Sequence, residues 1–234
     1  MSDNTPVTDK TSGPLAGLVT VALRRAVRAQ TGAARDYVRK LREDHPTESP
    51  ARLRKRLDSR FLTLVTASGT AVGATGAVPG VGTVLALGAI GAESLIFVEA
   101  AAFYTLAVAE IHGVDFSDTA QEEMLVMTIM LGASGTAILS NAVGSGGGAA
   151  AGGSLAGRAI RLPSVTEVNS KLMKRFLKRY ATKRATLALG KLAPAGIGAA
   201  IGGWGNRRLG RVVVDTAHAT FGTPPTGWPA TAAG

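Results

Sequence analysis

The sequence predicts an all-α protein: a multi-helix bundle with a central Gly/Ala-rich hydrophobic helical hairpin, associated with a membrane. Three observations lead there. Apolar residues recur at helical spacing, and no stretch alternates with the two-residue period of a strand. Of the 234 residues 46% are hydrophobic, yet only 5% are aromatic and 30 are glycine. Such small side chains favour close helix contacts over a bulky core. Finally, the net charge of +10 is unevenly spread: residues 61–157 hold no Lys or Arg, whereas 1–60 and 158–234 hold 13 each. Soluble surfaces mix both signs. Basic flanks around an apolar centre fit an element held to a bilayer by its positive ends.

Residues 1–14 are polar, carry no secretory apolar run, and read as a disordered leader. A single helical domain is expected over 15–222, with a disordered tail at 223–234. The first helix runs from Leu15 to about Arg42, where Leu15, Leu18, Val19, Ala22 and Ala26 alternate with arginines. HPTESP then breaks the pattern, and Ser49 before Pro50 marks a second helix start. That helix opens basic (ARLRKRLDSRF) and turns apolar, with Gly69, Gly73, Gly76 and Gly80 at spacings suited to close packing.

After a Pro-Gly turn in VPGVG, the longest apolar pattern runs from Thr83 to Ile111, interrupted only by Glu93, Glu99 and Glu110. HGVDFSDTAQEE is an acidic loop in which Ser117 or Asp118 caps a helix over 122–143. GSGGGAAAGGSLAG (144–157) reads as a flexible linker. An amphipathic helix follows at 165–189. Lys171, Lys174, Arg175, Lys178 and Arg179 share one face, opposite Leu172, Met173, Phe176, Leu177 and Tyr180. The Gly-rich run 193–206 leads into a last helix at 206–221.

Segments 84–109 and 124–144 are long enough to span a bilayer. In the first, 11 Leu, Ile, Phe or Val residues contribute about −3 to −7 kcal/mol. Its two glutamates cost roughly 2.5–3.5 kcal/mol each, so the balance is near zero. As a hairpin the pair would keep both basic flanks on one side, as the positive-inside rule requires. The competing reading is a bundle whose central helices are buried all round.

Chemistry finds little footing. Without cysteine there is no thiolate nucleophile or ligand. His45, His112 and His218 lack a second ligand at helical spacing, so no metal is expected. No GxSxG elbow or P-loop occurs. Glu99 and Glu110 share a helix face, but three turns apart, about 16 Å, which is too far for a carboxylate pair around one substrate. The expectation is therefore no catalytic residue, no cofactor and no metal. Glu93 and Glu99 remain as a candidate polar track in an apolar helix. Lys171, Lys174, Arg175, Lys178 and Arg179 are candidate contacts for anionic lipid at the cytoplasmic membrane. A membrane-protein partner or a second copy would pack on the small-residue faces. Nucleic acid is not expected, because the basic segments lack interleaved stacking aromatics.

VPGVG with the acid at Glu93, LAVAEIHGVDFSD around Gly113, Asp115 and Asp118, LGASG at Gly132, and KLAPAGIGAAIGGWGNRRLG…AHATF together resemble the EcsC family of bacterial proteins over about 60–221. The resemblance implies membrane association without an established activity, and it carries over no catalytic residue. The Gly/Ala linker and the long basic first helix depart from that pattern. The function expected is a non-enzymatic, membrane-associated helical accessory protein that supports a transporter or envelope process. The alternative is a soluble helical module that binds a lipid or other apolar ligand.

Overall fold

The computed structural model describes residues 14–75, 82–146, 154–162, 165–189 and 197–228, with the backbone path alone for 14–20, 72–75, 82–95, 179–189 and parts of other helix ends. Among them are eight helices and no strand: α1 (Pro14–Asp44), α2 (Pro50–Thr75), α3 (Gly82–Ile111), α4 (Thr119–Leu131), α5 (Ala133–Gly146), α6 (Leu155–Ala159), α7 (Thr166–Leu189) and α8 (Ile197–Phe221). The all-helical bundle expected from the sequence is the fold observed.

In α1, Leu23, Ala26, Val27, Ala34, Val38 and Leu41 are buried at three- and four-residue intervals, while Arg24, Arg25, Arg28, Arg35 and Arg39 stay exposed. α2 starts at Pro50, as Ser49-Pro50 predicts, and buries Leu53, Leu57, Phe61 and Val65. It runs antiparallel to α3, since Asp58 meets Tyr104 and Phe61 lies over both Tyr104 and Phe97. It is antiparallel to α8 as well: Asp58 meets His218, Val65 faces Gly210, and Gly69 lies against Gly202. A Cβ on Gly69 would stand 2.5 Å from the Gly202 carbonyl oxygen. Only glycine allows this approach. Gly73 lies where only the backbone is described, and Gly76 and Gly80 lie outside the described residues.

The central helix is α4. Asp118 caps it, accepting from the Gln121 N–H at 2.9 Å, and every residue from Gln121 to Ile129 is buried. It touches α1, α3, α5, α7 and α8, so it is apolar on all sides because it is surrounded by protein. It stops at Gly132, whose φ of 64° and ψ of −140° suit only a residue without Cβ. The continuous helix expected over 122–143, and with it the candidate span 124–144, is thus two helices of 13 and 14 residues. Each is about 20 Å long, short of a bilayer core of about 30 Å. Among the described residues no helix is long and apolar enough to cross a membrane.

Three stretches differ from expectation. The stretch read as a linker is helical to Gly146, and Ser154 caps α6 by accepting from the Gly157 N–H; residues 147–153 lie outside the described residues. The Gly-rich run before Asn206 is already helix from Ile197. Residues 222–228, read mostly as disordered tail, pack back on the fold, with the Arg42 guanidinium 4.4 Å from the Trp228 ring centroid. The leader 1–13 lies outside the described residues.

Candidate functional site

The basic residues singled out in the sequence lie on α7. Lys171, Lys174, Arg175 and Lys178 are exposed, while Leu172 and Phe176 on the opposite side are buried in the core. Core packing therefore fixes the basic face outward. Lys171 pairs with Glu167 one turn earlier at 2.7 Å. The Arg179 side chain lies outside the described residues, and so does that of Glu93 on α3. Glu99 is exposed on α3, so the polar track reduces, among described side chains, to one acid at the surface.

That acid borders a groove of about 490 Å³ between α1 and α2, floored by α3. α2 contributes Leu57, Arg60, Phe61 and Leu64; α3 contributes Ile96, Glu99, Ala100 and Phe103; α1 contributes Gln30 and Tyr37. Leu64 and Ile96 are 53% and 42% exposed, so water meets aliphatic surface that the fold leaves uncovered. Across the groove Arg60 donates through Nη1 to the Tyr37 hydroxyl, and its guanidinium lies 5.9 Å from that ring's centroid. Tyr37 in turn packs edge-on against Phe103, ring centroids 5.3 Å apart.

A second polar arrangement lies where α2, α3 and the end of α8 meet. Arg54, 2% exposed, donates through Nη1 to the Gly222 carbonyl at 2.8 Å and lies 3.0 Å from His112 Nε2. Since arginine only donates, His112 Nε2 is the acceptor and this ring is neutral. Burial, then the nearby Arg54 charge, holds the His112 pKa down at about 4. Among the described residues, the buried Arg54 Nε and Nη2 atoms have no hydrogen-bond partner. Burial lowers the Arg54 pKa, opposed by Tyr104 and Asp58. Asp58 accepts from the Tyr104 hydroxyl at 2.6 Å and meets His218 Nε2 at 2.9 Å. Burial and the Asp58 charge raise the Tyr104 pKa, so the phenol keeps its proton.

Sequence reading did not single out this cluster. The pairs it joins by hydrogen bonds are 46 to 168 residues apart, and Arg54 stands among other basic residues in ARLRKRLDSRF. One signal was present: Arg54 lies four residues before Asp58 and seven before Phe61, on the flank of the Leu53–Leu57–Phe61 stripe. Its donors and acceptors lock the ends of three helices together, and among the described residues no three His, Asp or Glu side chains are grouped to hold a metal.

The central acids are also tied to the basic N-terminal region. Arg24 pairs with Glu123 at 3.5 Å, Arg35 with Glu110 at 3.8 Å, and Thr31 donates to Glu122 at 3.0 Å. Burial raises the Glu122 pKa, against the Thr31 hydrogen bond and Arg35. No family model, no curated protein and no solved structure matches this chain.

Proposed function

We propose that the chain is a non-enzymatic helical accessory protein that lies peripherally on the cytoplasmic face of the membrane. It grips anionic lipid through α7 and supports a transporter or envelope process by contacts with partner helices. The observation that carries this reading is the outward face of Lys171, Lys174, Arg175 and Lys178 over a buried Leu172 and Phe176. The EcsC-like motifs point the same way, and so does Trp204, 64% exposed with the Arg208 guanidinium 5.5 Å from its ring centroid; such a ring suits the headgroup layer.

Each basic residue near an anionic surface contributes about 1 kcal/mol, so four together are worth on the order of 4 kcal/mol before screening. The test is co-sedimentation with vesicles of phosphatidylcholine, with and without phosphatidylglycerol. The chain should pellet only with the anionic vesicles. Replacing Lys171, Lys174, Arg175 and Lys178 by Glu should cut that binding at least about tenfold. Equal pelleting of the variant would sink the α7 grip.

The groove supports a second reading from another class, a module that binds an apolar ligand. Its volume of about 490 Å³ falls in the usual range for small-molecule sites, roughly 300–1,000 Å³.

A further inference from the structure

We propose that the groove between α1 and α2 is a site for a medium-chain fatty acid, with Arg60 and the Tyr37 hydroxyl holding its carboxylate. This deepens the ligand-binding reading and rests on it.

The groove has two chemically different parts. Along α2 the apolar residues run from Leu57 to Leu64, and along α3 from Ile96 to Phe103, seven residue steps in each case. That is a trough about 10 Å long, which suits the tail of one medium-length chain. Exposed Leu64 and Ile96 at its mouth would gain most from such a cover. The polar part belongs to Arg60. Its side chain reaches the Tyr37 hydroxyl, and no carboxylate among the described residues lies within ion-pairing distance of it. A planar, permanently charged fork beside a phenol O–H matches a carboxylate, which accepts from both. Glu99, also on the groove, supplies the opposite sign. It repels an anion, so the headgroup is steered towards Arg60 and away from α3.

The experiment is a displacement titration on the full chain, using a dansyl-labelled fatty acid as probe. Decanoate, decanol and decylamine then compete for it. Decanoate should displace the probe at about a tenfold lower concentration than decanol, because one charge-assisted contact is at stake. Arg60→Gln should erase that advantage, and Glu99→Gln should tighten decanoate binding. Leu64→Glu, at an exposed position that leaves folding intact, should abolish probe uptake.

Equal potency of decanoate and decanol would overturn the carboxylate assignment while leaving an apolar-ligand groove standing. Preference for decylamine would do the same, with Glu99 as the anchor. No uptake at all, or uptake unchanged in Leu64→Glu, would remove the groove as a ligand site and this inference with it.

Discussion

Among the described residues the buried Arg54 Nε and Nη2 lack hydrogen-bond partners, while its Nη1 is held by His112. The ring accepts from Arg54 and packs on Phe221, ring centroids 5.4 Å apart. It must stay neutral, since a protonated imidazole would lose the acceptor and face a second cation. With the folded pKa at about 4 against 6.5 ordinarily, the contribution to stability is complete above pH 6.5. It is lost as pH falls from 6.5 towards 4, where the unfolded chain takes up a proton that the fold refuses. Partial exposure discounts its size to on the order of 2 kcal/mol. Urea unfolding at pH 7 and pH 5 checks this when set beside His112→Gln, which should lose less on acidification. The variant comparison is needed because Glu122, with its raised pKa, favours the fold in the opposite direction. An identical pH response in both proteins would remove His112 as the cause. Arg54→Met supplies the complementary prediction. The His112 pKa, followed by NMR of the imidazole C–H protons, should rise from about 4 but stay below 6.5, because burial remains the first cause and Arg54 only the second. None of this was legible from sequence beyond the helical register that sets Arg54 near an apolar stripe. The partners of Arg54, His112 and Gly222, come from just beyond the ends of α3 and α8, and spacing within one helix cannot reveal them.

Helix against helix, the α2–α8 seam is set by glycine. At Gly69 an added Cβ would meet the Gly202 carbonyl oxygen and the Asn206 side chain, and at Gly210 it would meet Val65 Cγ2 at 2.8 Å. Backbone cannot step aside as a flexible side chain can, so Gly69→Val should separate the two helices at a cost of about 1–3 kcal/mol. Gly205, on the same helix, has nothing within 4 Å of its would-be Cβ. Gly205→Ala should therefore stabilise by up to about 1 kcal/mol through helix propensity alone. Thermal melts of the two variants should move in opposite directions; a shared direction would mean that glycine content, not position, governs the seam. The same contrast explains how far the elements could be read in advance. Starts were legible where a cap is local, as at Ser49-Pro50 and Asp118. The break at Gly132 was not, because MLGASG looks like any helix interior with a tolerated glycine, and the positive φ shows only in the fold. Gly-rich 197–206 looked like a connector for the opposite reason. Two of its glycines, Gly202 and Gly203, lie against Gly69 and Thr70 of α2, a closeness that the one-dimensional pattern does not display.

Across the whole molecule, the split of charge between a basic flank and an acid-only middle has an internal explanation as well as an external one. Arg24 and Arg35 of α1 meet Glu123 and Glu110, so the missing cations of the centre are delivered by the first helix. The same holds for hydropathy: α4 is apolar all round because five helices enclose it, not because it faces lipid. Basic residues still outnumber acidic ones, 26 to 16, and that surplus sets the strength of attachment in the peripheral reading. Attachment of this kind is electrostatic and must weaken as salt shortens the Debye length from about 8 Å at 0.15 M to about 3 Å at 1 M. The protein recovered with a membrane pellet should therefore be released by a 1 M salt wash, before any alkaline carbonate step. Retention through both washes would contradict the peripheral reading and assign insertion to the bundle. Recovery in the unpelleted fraction from the outset would remove the membrane as partner and leave the groove as the feature with a function to explain.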